Sequence, residues 1–105
     1  MKIGNAFSAN MLSLEDMPVN VMFSKTDAET VKNIDVLESC IGHADTAAVV
    51  SNVLGRKIDA NRTNVSLKKG DCMIIAQYIG PRLAEGATKL PEGARIEFLF
   101  AKLED

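Results

Sequence analysis

Apolar and polar residues alternate along several segments of the chain, and this alternation predicts β-strands. Residues 2–7 form the first such segment. Residues 19–24, directly after Pro18, place Val, Val and Phe at every second position and predict a half-buried strand. Residues 34–41 have strand character, and residues 95–103 alternate with Ile and Phe on one side. The pattern therefore indicates a protein in which strands outnumber helices.

One strand is expected to be buried on both faces. Residues 72–76 read Cys-Met-Ile-Ile-Ala and are apolar throughout, as is typical of a central strand. Residues 68–71, Lys-Lys-Gly-Asp, precede it and predict a hairpin turn between strands at 63–67 and 72–79.

Two segments predict helices. Residues 44–54 form the clearest one, with Gly55 directly after its last turn and apolar residues around most of its circumference. A shorter helix is predicted after residue 26, with Thr26 as the N-cap and Glu29 in the capping-box position. Together these elements predict the α/β (α+β) class, with a mixed β-sheet flanked by helices in a small single domain over residues 1–105.

Composition narrows the classes of function. The chain has 105 residues, which fits one domain. Its net charge of −2 argues against sequence-independent binding of duplex nucleic acid, which requires a strongly basic surface. A small anionic ligand stays compatible with this charge, because a few well-placed donors hold a phosphate locally.

The cysteines and the N-terminus point to a reducing compartment. Cys40 and Cys72 lie far apart in apolar segments and predict buried free thiols. The N-terminal residues turn polar too early for a signal peptide, and no apolar run approaches the roughly 20 residues of a membrane span. We expect a cytoplasmic protein that does not enter the membrane.

His43 is the only histidine of the chain, and it lies immediately before the predicted helix 44–54. The first turn of a helix offers unpaired amides and a positive dipole end, which suits a phosphate. An imidazole at this position can donate a proton to an oxygen that leaves the phosphorus. Asp45 and Thr46 belong to the same turn. The alternative is that His43 only caps or packs the helix and that Asp45 complements its dipole.

The residue inventory does not predict a metal or cofactor site. A single histidine and two widely spaced cysteines do not form a zinc or iron motif. The sequence contains no glycine-rich motif for binding dinucleotides or nucleoside triphosphates. A metal-free enzyme with one histidine suits a substrate that brings its own nucleophile, as RNA does through the 2′-hydroxyl.

Further candidate residues lie at the ends of predicted strands. Residues 77–86 follow the central strand, and Arg82 in this segment is suited to hold a phosphate through two hydrogen bonds. The alternative is an exposed Arg82–Glu85 ion pair. Three polar residues after the first strand are typical of a turn, and Arg62 is typical of a solvated loop; the turn residues are Asn5, Ser8 and Asn10.

Three motifs in a defined order and spacing carry a family resemblance. They are Asn-Ala-Phe-Ser-Ala-Asn-Met-Leu at residues 5–12, Ile-Gly-His-Ala-Asp-Thr-Ala at 41–47, and the segment 77–98 that begins Gln-Tyr-Ile-Gly-Pro-Arg. Residues 61–71 fit the same pattern. With these motifs the chain resembles the viral anti-CRISPR ring nucleases directed against type III CRISPR defence, and their bacterial CRISPR-associated relatives.

The resemblance implies a fold, an activity and partners. It implies a homodimer with a mixed sheet that binds cyclic tetraadenylate across the dimer interface. It also implies cleavage without metal or cofactor into linear diadenylates that end in a 2′,3′-cyclic phosphate, which switches off type III CRISPR signalling. A two-fold axis suits such a ring, because two subunits then address two opposite phosphates.

The resemblance also implies residue roles. His43 matches a general acid, and Arg82 and Glu85 match an Arg-x-x-Glu motif whose arginine holds phosphate or ribose and whose glutamate orients the ribose or assists catalysis. Related proteins often have serine in place of Asp45. Because a carboxylate near a phosphate would repel it, Asp45 is expected to face a ribose hydroxyl or to cap the helix. The positions that match ligand contacts are Asn5, Ser8, Asn10, Asp45, Thr46, Arg62 and Gln77.

Two other functions remain open from the sequence. The same site would serve a non-catalytic protein that sequesters or senses cyclic oligoadenylates. A small nucleic-acid-binding protein of a virus or mobile element is the third class, although the net charge of −2 and the absence of a basic stripe speak against it.

Overall fold

The computed structural model describes all 105 residues and contains one five-stranded sheet with two helices. The sheet has the strand order β2-β5-β4-β1-β3. β1 is parallel to β3 and β4, whereas β5 is antiparallel to β2 and β4. The elements are β1 (Lys2–Gly4), β2 (Val21–Thr26), α1 (Ala28–Lys32), β3 (Glu38–Ser39), α2 (Ala44–Leu54), β4 (Cys72–Ile79) and β5 (Arg95–Leu103). The predicted α/β (α+β) class with a mixed sheet is confirmed.

β4 is the central strand of the sheet and is covered on both faces, as its unbroken apolar sequence predicts. One face of the sheet packs against α1 and α2, in a cluster that includes Ile74 and Ala76 of β4 and Phe98 of β5. The opposite face carries Met73 and Ile75 in a second cluster. Alternate residues of β4 therefore belong to two different cores, because side chains of a strand point to opposite faces in turn.

The second core is covered by irregular segments of chain. Phe7, Met11 and Leu12 from the segment after β1 pack against it, together with Val65 and Leu67 from the segment before β4. Met11 is the last residue of a short 3₁₀ turn that Ser8 caps, and Leu12 directly follows this turn. The helices thus lie on one face of the sheet only.

The hairpin predicted at residues 68–71 is wrong. The turn itself forms, with the Asp71 amide donating to the Lys68 carbonyl at 2.9 Å, but residues 63–67 do not form a strand beside β4. Leu67 instead forms a parallel bridge with Leu12. Both edges of β4 are already paired, with β1 on one side and β5 on the other, so they cannot accept a third strand.

Several predicted strands are shorter in the structure. The first ends at Gly4 rather than residue 7, and within residues 34–41 only Glu38–Ser39 is a strand. α1 begins one residue later than predicted, because Thr26 pairs with Phe98 as the last residue of β2. Asp27 is the N-cap, and its carboxylate accepts a hydrogen bond of 2.8 Å from the Thr30 amide. This bond holds the pKa of the Asp27 carboxyl below its usual value.

α2 spans Ala44–Leu54 as predicted, and Gly55 ends it in the left-handed conformation with φ +68°. Ala47, Val49, Val50 and Leu54 are buried, in agreement with the apolar character around most of this helix. α2 thereby places its first turn, and His43 before it, at a defined position over the sheet.

Both cysteines are free thiols, as predicted, but they are half-buried rather than fully buried. Desolvation is the main cause that raises the pKa of the Cys40 thiol. The longest helix has 11 residues, and none of the helices combines the length and the apolar character needed to cross a membrane.

Replacing Gly55 by alanine tests the role of this helix end. Gly55→Ala should lower the free energy of unfolding by about 1–2 kcal/mol, because a side chain disfavours the left-handed conformation. A new Cβ would meet only the Lys32 Nζ atom at 3.7 Å, so the effect arises from the backbone and not from a clash. Urea unfolding measures it. Asn52→Ala, at an exposed position of the same helix, is the control and should change stability by less than about 1 kcal/mol. Equal stability of Gly55→Ala and the wild type would contradict this interpretation.

Candidate functional site

The candidate site lies at one edge of the sheet, where three parallel strands end. β1, β3 and β4 run in the same direction, so their carboxyl ends share this edge. Ligands of open α/β sheets commonly bind outside the carboxyl ends of the strands. The chain segments that leave β3 and β4 at this edge carry most of the polar residues singled out in the sequence.

His43 lies at the end of the segment that follows β3, directly before α2. It is the N-cap residue, and its carbonyl accepts the hydrogen bond of the Ala47 amide at 3.0 Å. Its imidazole is exposed and makes no capping hydrogen bond, so the capping alternative for the side chain is not realised. The backbone amides of Ala44, Asp45 and Thr46 find no acceptor within the chain. The imidazole thus stands beside unpaired amides at the positive end of the helix.

Arg62 reaches the same place from a different segment. Asn61, its neighbour, is held by two hydrogen bonds. Its backbone amide donates to the Ile41 carbonyl after β3 at 2.8 Å, and its side-chain nitrogen donates to the carbonyl of Ser39, the last residue of β3, at 2.9 Å. Arg62 then packs over Gly42, where an added Cβ would lie 3.4 Å from the Arg62 Cγ atom. These contacts place the arginine beside His43.

The loop between β4 and β5, residues 80–94, brings a third segment to the site. We call it the β4–β5 loop. It starts with a tight turn in which the Tyr78 hydroxyl donates to the Pro81 carbonyl. Gly80 has a φ of +155°, and a Cβ there would lie 2.6 Å from the Ala94 Cβ atom, so only glycine fits between the two ends of the loop. This turn sets the direction in which Arg82 follows.

The β4–β5 loop also contacts α2. The Gly86 amide donates a hydrogen bond of 3.1 Å to the Asp45 Oδ1 atom. Asp45 therefore neither caps its own helix nor stays free, but connects the helix start with the loop.

A cavity of about 850 Å³ lies between these three segments and opens to solvent. We call it the His43 cavity. Six of the predicted site residues line it, and they come from segments far apart in the chain. The residues that line it are Gly42, His43, Ala44, Asp45, Thr46, Arg62, Tyr78, Gly80, Arg82, Leu83 and Glu85.

The two arginines of the cavity are available to a ligand. Neither Arg62 nor Arg82 forms an ion pair, and the alternative of an Arg82–Glu85 pair is not realised. Arg56 differs, since its guanidinium donates three hydrogen bonds to main-chain carbonyls at and after the end of α1 and so acts in the fold. Unpaired guanidinium groups next to unpaired helix amides suit a phosphate or another compact anion.

Four predicted ligand contacts lie outside the lining of the cavity: Asn5, Ser8, Asn10 and Gln77. All four are exposed. The Ser8 hydroxyl oxygen accepts a hydrogen bond of 3.1 Å from the Asn10 amide, which is the turn role that composition favoured. Asn5 follows β1, and Gln77 lies near the end of β4. Their roles as ligand contacts stay predictions.

Sequence reasoning named Tyr78 only as part of a motif and did not assign it a place in the site. It lines the cavity and also shapes the turn that precedes Arg82. An available signal was the Tyr-Ile-Gly-Pro sequence, in which a glycine and a proline after a strand indicate a tight turn. Sequence alone gives no sign that Gly42 contacts Arg62, because the two residues are 20 positions apart.

The structure contains no group of three or more His, Cys, Asp or Glu side chains close enough together to hold a metal ion. Beside the carboxylates of Asp45 and Glu85, the site presents imidazole, guanidinium and backbone amide groups, whose N–H donors suit an anion.

Comparisons with known proteins agree with this architecture. The family model described as STIV B116-like matches residues 1–98. A solved structure, B116 of Sulfolobus turreted icosahedral virus, shares 28% sequence identity with the chain and superposes with a TM-score of 0.76. The match covers 96% of this chain and 97% of the viral one. A comparison with curated proteins finds no significant match.

Proposed function

This chain belongs to the STIV B116-like family, and from that premise we propose that it is a ring nuclease. In this proposal it binds cyclic tetraadenylate at the interface of a homodimer and cleaves it, without metal or cofactor, into linear diadenylates with a 2′,3′-cyclic phosphate. Removal of the messenger would switch off type III CRISPR signalling in the cytoplasm where the messenger is made.

The observation that carries the proposal is the position of His43. The imidazole is exposed on the wall of the cavity, is free of any capping bond, and is next to amides that have no acceptor. A phosphate held by those amides would lie within reach of a proton donor. A histidine whose side chain served only stability would be expected to cap the helix through its imidazole or to be buried, and the imidazole of His43 does neither.

Two arginines support an anionic substrate. Arg62 and Arg82 line the cavity from separate segments and have no carboxylate partner. They supply local positive charge in a chain whose net charge is −2. This arrangement suits a small, compact anion and does not suit a long duplex, which requires a continuous basic surface.

The proposed chemistry needs no outside nucleophile. The 2′-hydroxyl oxygen of one ribose attacks the adjacent phosphorus, and the bond from phosphorus to the 5′-oxygen of the next nucleotide breaks. The protonated imidazole of His43 gives its proton to this departing 5′-oxygen. The carboxylate of Glu85, on the same cavity, orients the ribose and takes the proton of the 2′-hydroxyl. Solvent then returns both groups to their starting protonation.

The size of the ligand favours a second copy of the chain. Cavities of roughly 300–1,000 Å³ hold drug-sized ligands, and the 850 Å³ cavity falls in this range. A ring of four nucleotides exceeds a drug-sized ligand and would extend beyond the cavity of one chain. Two copies around a two-fold axis would supply two cavities to opposite phosphates. The exposed residues outside the cavity, Asn5, Ser8, Asn10 and Gln77, are proposed to contact the rest of the ring.

We expect the protein to be a homodimer in solution. Sedimentation-velocity analysis should give twice the mass of the chain, which is 11.3 kDa. One ring should bind per two chains in calorimetry. A monomer at micromolar concentration that stays monomeric with the ring would contradict the proposed binding mode.

His43→Ala should lower the cleavage rate of cyclic tetraadenylate about 10²–10⁴-fold, as expected for loss of a proton donor. The measurement is single-turnover cleavage of labelled ring in EDTA. The dissociation constant and the unfolding temperature should stay close to those of the wild type, because the imidazole makes no hydrogen bond in the fold.

Lys57→Ala is the control for His43→Ala, since Lys57 is exposed and outside the cavity. Equal cleavage by His43→Ala and the wild type would contradict the mechanism. Tight binding with the ring recovered intact would indicate a sequestering protein instead. Salt-sensitive binding of random duplex, without binding of the ring, would indicate a nucleic-acid-binding protein.

Arg62→Ala and Arg82→Ala should each weaken binding of the ring about 10- to 100-fold, because each removes a charge-assisted hydrogen bond to phosphate. Lysine at either position should restore only part of the affinity, since its ammonium group cannot form the bidentate hydrogen bonds of a guanidinium group. Arg56→Lys serves as a stability control, because Arg56 acts in the fold. Calorimetric titration of the ring measures the effect, and unchanged affinity in both alanine variants would contradict the assigned roles.

A further inference from the structure

The β4–β5 loop is long for a connection between two paired antiparallel strands. Residues 80–94 join Ile79 to its partner Arg95 across the sheet. Loops longer than roughly 12–15 residues without secondary structure are uncommon and are frequently functional lids or binding loops. Inside the loop, only two hydrogen bonds form between main-chain groups: the Ala87 amide donates to Ala84, and the Ala94 amide donates to Pro91.

Only two further hydrogen bonds hold this loop to the remainder of the chain. The Tyr78 hydroxyl donates to the Pro81 carbonyl at the start of the loop. The Gly86 amide donates to the Asp45 carboxylate, which lies 41 residues away in the sequence. The second bond is therefore the single hydrogen bond between the loop and α2.

The two bonds enclose the functional part of the loop. Arg82 and Glu85 lie between Pro81 and Gly86, and both line the His43 cavity. With both ends held, this short stretch has few conformations in which it can leave the cavity. Without the Asp45 bond, the stretch would be held at one end only.

The bond also changes what Asp45 can do toward an anion. A free carboxylate in the first turn of α2 would repel a phosphate that the helix amides attract. One oxygen of Asp45 is engaged by the loop, and the amides of the first turn stay without an acceptor. The residue therefore contributes to the site without occupying the donors that a phosphate needs.

We propose that Asp45 is a positioning residue which holds Arg82 and Glu85 against the cavity through the Gly86 amide, and that it does not contact the ligand. This inference rests on the proposed function for its kinetic consequence, but the contact itself is independent of any substrate. It assigns Asp45 a role that differs from a ribose contact and from a helix cap.

Hydrogen exchange of the ligand-free protein tests the contact without any activity. In Asp45→Ala the Gly86 amide should exchange about 2- to 10-fold faster, as expected for the loss of one hydrogen bond. Asp45→Asn keeps an oxygen acceptor, so its Gly86 exchange rate should lie between those of the wild type and Asp45→Ala. Asp59→Ala, which removes an exposed carboxylate outside the cavity, should leave Gly86 unchanged. Unchanged exchange at Gly86 in Asp45→Ala would overturn the proposal.

A double-mutant cycle with Arg82 separates positioning from direct contact. Asp45→Ala should raise the dissociation constant of cyclic tetraadenylate several-fold in the wild-type background. It should have a clearly smaller effect in the Arg82→Ala background, since only Glu85 is then left for Asp45 to position. Equal effects in both backgrounds would show that Asp45 does not act through Arg82 and would overturn the proposal.

The two tests distinguish failure of this inference from failure of the proposed function. A wild-type protein that neither binds nor cleaves the ring would contradict the ring nuclease proposal, while exchange at Gly86 would still decide whether Asp45 holds the loop. An unfolding temperature close to that of the wild type in Asp45→Asn shows that the exchange result concerns the loop and not the fold.

Discussion

The pairing of β4 on both edges is the constraint on which the rest of the structure depends. β4 lies between β1 and β5 and sends alternate side chains into two separate cores. Because β1 and β3 are parallel to it, the three carboxyl ends meet at one edge of the sheet. The segments after β3 and β4 leave from this edge, and the His43 cavity lies where they come together. The pairing of β4 with its two neighbours thus fixes both the position of the two cores and the location of the site.

The site shows how a slightly acidic chain can bring unpaired hydrogen-bond donors for an anion together in one cavity. The net charge is −2, yet the cavity combines unpaired helix amides with two guanidinium groups that have no carboxylate partner. Other charged residues are used differently: Arg56 binds main-chain carbonyls, and Arg95 pairs with Glu97. Recognition of a compact anion depends on where the donors lie and not on the total charge.

Positioning in this site depends on hydrogen bonds to the main chain. Asn61, next to Arg62, donates to the end of β3, and Tyr78 shapes the turn before Arg82. Asp45 joins the start of α2 to the β4–β5 loop. Each of these bonds connects an irregular segment to a regular element, which is β3, β4 and α2 respectively. Loops can carry a defined site when such bonds limit their conformations, although they lack the ladders of a sheet.

Periodicity and local chemistry were enough to predict the central strand, α2 with Gly55 at its end, the mixed sheet and His43 at a helix start, because these follow from residues near one another in the chain.

The partner of each segment was not predictable in the same way. Residues 63–67 look like a strand, but only Leu67 pairs, in an isolated bridge with Leu12, since β4 has no free edge. Thr26 looks like a cap but belongs to β2. The convergence of Arg62, Arg82 and Asp45 on His43, and the bond from Gly86 to Asp45, join residues that are distant in the sequence. Tertiary structure alone decided these contacts, because they depend on how the strands compete for edges and not on the preference of any single segment.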